Sequence, residues 1–256
     1  MEHILIQLAQ AISTKEPAAL VTVIEAKGAS PAKVGAQIVL FQNGTTTGTV
    51  GGGKLESSIL EDATKDLAGR KCGLHHYQLT EEGKDSIGTL CGGEVTVFVQ
   101  SYFPPPRLVI VGGGHIGRPL KIMGEATGFE VEVVDVAPGR ATVPELEQIN
   151  LSCDSYVVLI ITDHVSDEGA MRIALKTSAP YIGMIGSVAK CRTILDHLRA
   201  DGFSATSLER AYAPIGLDLG GNSPNEIAVG ILAEVIACRQ KKGNIVRMVK
   251  TRRIGE

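Results

Sequence analysis

The chain has 256 residues, with 25 Lys+Arg against 28 Asp+Glu, a formal net charge of −3, and 44% hydrophobic residues. That balance is ordinary for a globular protein, argues against long disorder, and gives no whole-molecule field for capturing nucleic acid. No apolar run approaches the roughly 20 residues of a membrane span, and Met1-Glu2-His3-Ile4 lacks the basic start of a signal peptide. The expectation is a cytoplasmic protein with neither membrane nor nucleic-acid partner. Cys72, Cys91, Cys153, Cys191 and Cys238 are odd in number and scattered, which suits a reducing compartment better than a disulfide framework or a zinc site. Aromatic residues are 4% with no Trp, a poor basis for stacking bases.

In chain order, residues 3–13 carry helical periodicity through Ile4, Leu5, Leu8 and Ile12. Residues 18–26 and 36–41 are β-rich, and Asn43-Gly44 turns the chain into a further strand over 45–50. Gly51-Gly52-Gly53 then opens a helix over about 54–68, with Leu55, Ile59, Ala63 and Leu67 on one face. Strands near 74–79 and 94–100 complete a small α/β domain over residues 1–101. Pro104-Pro105-Pro106 cannot continue a helix or a sheet ladder, so 102–106 reads as a stiff linker.

From 107 to 256 strands alternate with helices. Strands are predicted at 107–111, 130–134, 156–161 and 180–184, each followed by a helix. This is the pattern of a Rossmann-like, doubly wound parallel sheet covered on both faces. Ser223-Pro224-Asn225-Glu226 forms a capping box at the start of the last helix. Beyond it, seven basic residues and no acid between Arg239 and Arg253 read as a solvated end.

The strand at 107–111 runs into Gly112-Gly113-Gly114-His115-Ile116-Gly117, a G-x-G-x-x-G pattern. In that pattern Gly112 permits the tight turn, Gly114 lets backbone approach a pyrophosphate, and Gly117 packs the helix on the strand. The next predicted strand ends at Asp135, where a ribose-binding acid belongs. Asp135 favours NAD, while Arg140 could accommodate a 2′-phosphate, so NAD(P) use stays open between the two. His115, Asp163-His164, Gly186-Ser187 and Asp218 fall on the same carboxyl edge of the sheet, where open α/β folds bind ligands. Gly48 to Lys54 nearly spells a Walker A loop, but Leu55 replaces the magnesium-binding Ser/Thr. A glycine-rich helix start is the better reading. Cys91 precedes Gly92-Gly93; it is either a buried small hydrophobe or an accessible thiolate able to meet a soft metal.

Several blocks together resemble a known family, the xanthine dehydrogenase accessory proteins of the XdhC/CoxI type. Val23-Ile24-Glu25-Ala26-Lys27-Gly28-Ala29-Ser30-Pro31 with Gly35-Ala36 resembles its first block. Gly51-Gly52-Gly53-Lys54-Leu55-Glu56 is similar to its GGGxLE segment, and Cys91-Gly92-Gly93 to its CGG segment. The glycines at 112–117, Tyr181 to Ser187, and Ile215 to Gly220 with Pro224 and Glu226 resemble the second-domain blocks. The chain departs from the family at Ala32-Lys33, at Leu90 and at Val188-Ala189-Lys190; if arginines at such places hold phosphate in relatives, the contact here shifts to Lys33, Lys190 and Arg192 or weakens.

The resemblance implies a chaperone that binds molybdenum cofactor and delivers it to a molybdenum hydroxylase such as xanthine dehydrogenase. A cysteine desulfurase is a further candidate partner and a homodimer a candidate assembly. On this reading the cofactor contacts are Gly51, Gly52, Gly53, Lys54 and Cys91 from the first domain. Gly112, Gly114, His115, Gly117, Asp135, Gly186, Ser187 and Asp218 come from the second, and Cys91 is the metal contact. The competing reading is an NAD(P)-dependent oxidoreductase using the Rossmann domain, although no tyrosine–lysine pair is spaced for short-chain dehydrogenase chemistry.

Overall fold

A computed structural model describes residues 2–80, 92–135, 139, 141–143, 145–161 and 164–240. The chain divides into two compact units, Met1–Pro104 and Pro105–Glu256. Cys91, Arg140, Asp163 and the basic segment beyond Gln240 lie outside the described residues, as does the side chain of His164.

The first unit comprises α1 (Glu2–Ser13), β1 (Ala18–Lys27), β2 (Gln37–Phe41), β3 (Thr46–Gly48), α2 (Gly53–Ala68), β4 (Gly73–Gln78) and β5 (Glu94–Tyr102). Its strands form one sheet in the order β3-β2-β1-β5-β4, antiparallel throughout. The two-residue side-chain period of β1 decides which helix each residue meets. Ala19, Val21 and Val23 pack with Leu55, Ile59, Ala63 and Leu67 of α2, whereas Ala18 and Leu20 pack with Leu8 and Ala11 of α1. The central strand is thus covered on both faces up to the register shift between Val23 and Glu25, within which Ile24 is 47% exposed. Past the shift β1 continues to pair with β5 as far as Lys27, and Ala26 still packs against the core.

The second unit contains β6 (Arg107–Val111), α3 (Gly117–Ala126), β7 (Glu130–Val134), β8 (Ser155–Leu159), α4 (His164–Leu175) and β9 (Tyr181–Met184). It continues through α5 (Val188–Ala200), the short α6 (Ala205–Leu208), β10 (Ala211–Tyr212) and α7 (Pro224–Arg239). Its sheet is parallel, ordered β10-β9-β8-β6-β7. Val109 and Val111 point to one face with Met171, Ala174 and Ile194 of α4 and α5. Leu108 and Ile110 point to the other with Leu120 of α3 and Ile231 and Val235 of α7. This is the Rossmann-like architecture. Because β7 and β8 flank β6 on opposite sides, the chain reverses direction across the sheet there, a topological switch point at the carboxyl ends of β6 and β8 where open α/β sheets bind ligands.

One expected element is replaced. After β7 the described residues hold only a 3-10 turn at Leu146–Gln148, not a helix. Residues 141–150 mix apolar and polar side chains with Pro144 among them, and Val143 forms an isolated parallel bridge to Val134. β10 is only two residues long and has no periodicity by which to be read.

Candidate functional site

In the first unit, loops from three parts of the chain meet backbone to backbone. A Cβ on Gly93 would lie 2.7 Å from the Lys27 carbonyl oxygen, and one on Gly51 would lie 3.1 Å from the Ala32 nitrogen. Gly51 also has φ 134, so both its conformation and its neighbour exclude a side chain. Gly52 and Gly53, by contrast, border open space. The turn is organised by Glu56 from the first turn of α2. Its Oε2 accepts the Thr49 hydroxyl, the Val50 N–H at 3.0 Å and the Gly52 N–H at 3.2 Å. Burial pushes the Glu56 carboxyl up, but these hydrogen bonds outweigh it and hold the group below its ordinary value.

This geometry decides against an ATP cradle. Amides that a Walker A loop would give to phosphate are donated to a carboxylate, and Leu55 is buried at 2% exposure where the magnesium-binding hydroxyl would stand. Lys54 is exposed at the second position of α2.

In the second unit the glycine loop is shaped by steric limits. A Cβ on Gly117 would sit 2.1 Å from the Gly112 carbonyl oxygen, so the start of α3 can only close on β6 with glycine there. Gly114 differs: nothing lies within 4 Å of the place its Cβ would take, and His115 beside it is exposed. Asp135, at the end of β7, places Oδ2 2.7 Å from the Gly113 nitrogen and accepts its N–H. Gly112, Gly114, His115, Gly117 and Asp135 are therefore gathered into one local group.

Gly186 and Ser187 follow β9 and begin α5, where the Ser187 hydroxyl accepts the Lys190 N–H at 3.2 Å as the helix cap. Asp218 is exposed on the loop into α7, and its Oδ1 accepts the Gly220 N–H at 3.2 Å. Ser223 and Glu226 close the next turn as the expected capping box, and the Ser223 hydroxyl and N–H hold the Glu226 carboxyl below its usual range.

One expected contact is redirected. Lys190 does not stand as a spare phosphate cation: its ammonium pairs with Asp167, which is 0% exposed. Lys33 and Arg192 are exposed. Sequence reading passed over Arg118, an exposed cation in the first turn of α3 directly after the glycine loop. Its position in the G-x-G-x-x-G-Arg string was the available signal. Among the described residues, no three His, Cys, Asp or Glu side chains gather as a metal site, and no helix is long and apolar enough to cross a membrane.

Residues 108–235 match the family model of the XdhC Rossmann domain, and residues 11–78 match that of the XdhC and CoxI family. The chain belongs to the XdhC family. The XdhC protein is 29% identical over 237 residues to the uncharacterised protein YqeB of Escherichia coli, covering 86% of this chain and 43% of the relative. It is 27% identical over 160 residues to a probable xanthine dehydrogenase component of Bacillus subtilis, covering 57% and 46%. The chain thus spans less than half the length of these two relatives. A third, the molybdenum cofactor insertion chaperone PaoD of Escherichia coli, is 22% identical over 279 residues, covering 90% of this chain and 86% of PaoD.

Proposed function

We propose that this XdhC-family protein is a molybdenum cofactor chaperone that holds the cofactor as cargo and passes it to a molybdenum hydroxylase of the xanthine dehydrogenase type. The observation that carries this reading is the alignment with PaoD over 90% of this chain, spanning both family regions. A cytoplasmic setting with a cysteine desulfurase as sulfur donor fits the same role.

The residues present suit such a cargo. Its phosphate needs donors where backbone can come close, and the start of α3 offers helix amides beside Gly114, whose missing side chain leaves open space. Arg118 and His115 are exposed at the same turn and supply positive charge and a ring donor. The Asp135 carboxylate suits ribose hydroxyls, so this loop is assigned to the nucleotide part of a dinucleotide form of the cofactor. Gly186, Ser187 and Asp218 border the same carboxyl edge of the sheet. In the first unit, Gly51 to Lys54 are proposed as contacts in their own right, with Gly52 and Gly53 bordering open space. Cys91 is assigned as the thiolate that meets molybdenum, whose preference for sulfur suits it.

Catalysis is not required of any of these side chains; their work is to bind, to orient and to exclude water. The test is transfer. Protein loaded with cofactor is mixed with a cofactor-free molybdenum hydroxylase, and recovered hydroxylase activity is compared with that given by free cofactor. Activation above the free-cofactor rate, lost in Gly114→Val, supports delivery. Activation no faster than with free cofactor rejects it. An NAD(P)-linked oxidoreductase would instead show substrate-dependent change in nicotinamide absorbance.

A further inference from the structure

One face of the first unit's sheet is only half covered. Paired residues of neighbouring strands share a face, so Leu20 points the same way as Val39 and Gln100, and Thr22 the same way as Phe98 and Leu74. On this face α1 lies over β1, β2 and β3, with Leu8 and Ala11 packed on Ala18, Leu20 and Val39. β5 and β4 extend beyond it, where Phe98 is half-buried and Leu74 is 66% exposed. Neighbouring strands lie about 4.8 Å apart, so this bare strip is about 10 Å wide, the diameter of one helix.

α1 carries more apolar side chains than its own sheet uses. Ile4 turns toward β3, since its Cδ1 would lie 2.8 Å from a Cβ on Gly48. The opposite flank of the helix, turned toward the bare strip, carries Leu5, Ala9 and Ile12; Leu5 is 50% and Ile12 48% exposed. Ile6, 55% exposed, points away from the sheet altogether. The charged side chains of the strip, Glu94 and the Glu25–Lys27 ion pair, stand at its far end, past the rows that α1 spans.

We infer that this face is an interface between two copies of the chain, in which the α1 of each copy lies along the bare β5–β4 strip of the other. A two-fold axis satisfies every exposed group in turn. Leu5, Ala9 and Ile12 of the two copies make a helix–helix seam, and each Ile6 reaches the Phe98–Leu74 floor of the opposite sheet. The 12 residues of α1 make a rod about 18 Å long, and covering two such rods and two strips buries about 1,500 Å², within the range of a stable interface. A second copy brings both the helix that fits the strip and the strip that fits the helix. The Glu25–Lys27 pair stays at the rim, so no charge need be desolvated. The interface stands apart from the cargo reading and does not depend on it.

Sedimentation velocity of the full chain over about 1–100 μM is expected to show a monomer–dimer equilibrium with a Kd of about 10 μM or tighter. Leu5→Glu with Ile12→Glu, both at exposed positions, is expected to weaken association about tenfold or more with little change in Tm. Ile122→Glu, equally exposed but on α3 of the second unit, should leave it unchanged. Ala9→Cys sets a thiol at the middle of the seam beside the two-fold axis. Mild oxidation should join two copies through it in higher yield than in the wild type, whose Cys72 and Cys153 are exposed. A monomer throughout the range, undiminished association in the folded double variant, or no covalent dimer above the wild-type level from Ala9→Cys would each overturn the assignment.

Discussion

The Asp135 carboxylate accepts the Gly113 N–H at 2.7 Å, tying the end of β7 to the glycine loop that follows β6. The same oxygen-rich group that holds the loop also sets its charge, because any ligand on this turn meets a carboxylate beside it. A ribose 2′-hydroxyl can donate to that carboxylate, and a 2′-phosphate is repelled by it. ADP-ribose is therefore expected to bind more tightly than its 2′-phosphorylated counterpart by about tenfold. Asp135→Asn keeps an acceptor for Gly113 and should shrink that ratio. Calorimetric titration of both ligands checks it; an unchanged ratio in the variant would remove Asp135 from the site.

Gly117 and Gly114 should separate folding from binding. Gly117→Ala brings a Cβ against the Gly112 carbonyl, which forces backbone to move and is expected to cost about 2–4 kcal/mol. Gly114→Ala meets no protein atom within 4 Å and should leave stability within about 1 kcal/mol of wild type. Urea denaturation of the two variants measures the difference directly.

Glu56 should make the first unit sensitive to acid. Its folded-state pKa is depressed, so the stability it contributes is fully present above the unfolded value of 4.5 and is lost as pH falls through the lower folded value. Glu56→Gln keeps one acceptor oxygen but loses charge-assisted bonds to Val50 and Gly52. It is expected to cost about 2 kcal/mol at neutral pH and less in acid. Thermal melts of both proteins from pH 7 to pH 3 should converge.

Three tyrosines should resist ionisation. Burial, reinforced by Asp62, raises the Tyr77 hydroxyl; burial and Cys238 raise Tyr212; burial and Glu234 raise Tyr181, which is 0% exposed. Of the five tyrosines in the chain, these three are expected to titrate only as the protein unfolds in alkali. Absorbance at the phenolate band, followed alongside circular dichroism, tests whether the two transitions coincide. Tyr77→Phe should cost about 1 kcal/mol through the lost 3.0 Å bond to Asp62.

Much of the architecture is legible in single residues. Leu55, Ile59, Ala63 and Leu67 recur at helical spacing, and all four are buried in α2. The run through Ala19, Val21 and Val23 alternates as a strand that faces α2. Other features depend on contacts that leave no local pattern. Glu56 binds amides four to six residues upstream, and a carboxylate that turns back onto backbone leaves no residue spacing to betray it. Lys190 looks like a phosphate ligand beside Gly186-Ser187, but its charge is taken by Asp167, 23 residues earlier, once α4 and α5 pack side by side. The 3-10 turn at Leu146–Gln148 stands where alternation alone suggested a helix, and its Leu146 and Ile149 reach the core from that short turn.

The most direct measurement of the central claim is to mix the protein with molybdenum cofactor, separate it by gel filtration, and quantify molybdenum by mass spectrometry and pterin by fluorescence. Near-stoichiometric co-elution, undisplaced by excess NAD and reduced by Cys91→Ser, is the expected result. Elution free of molybdenum and pterin, with NAD retained in their place, would contradict the chaperone account and leave the family relationship as one of fold.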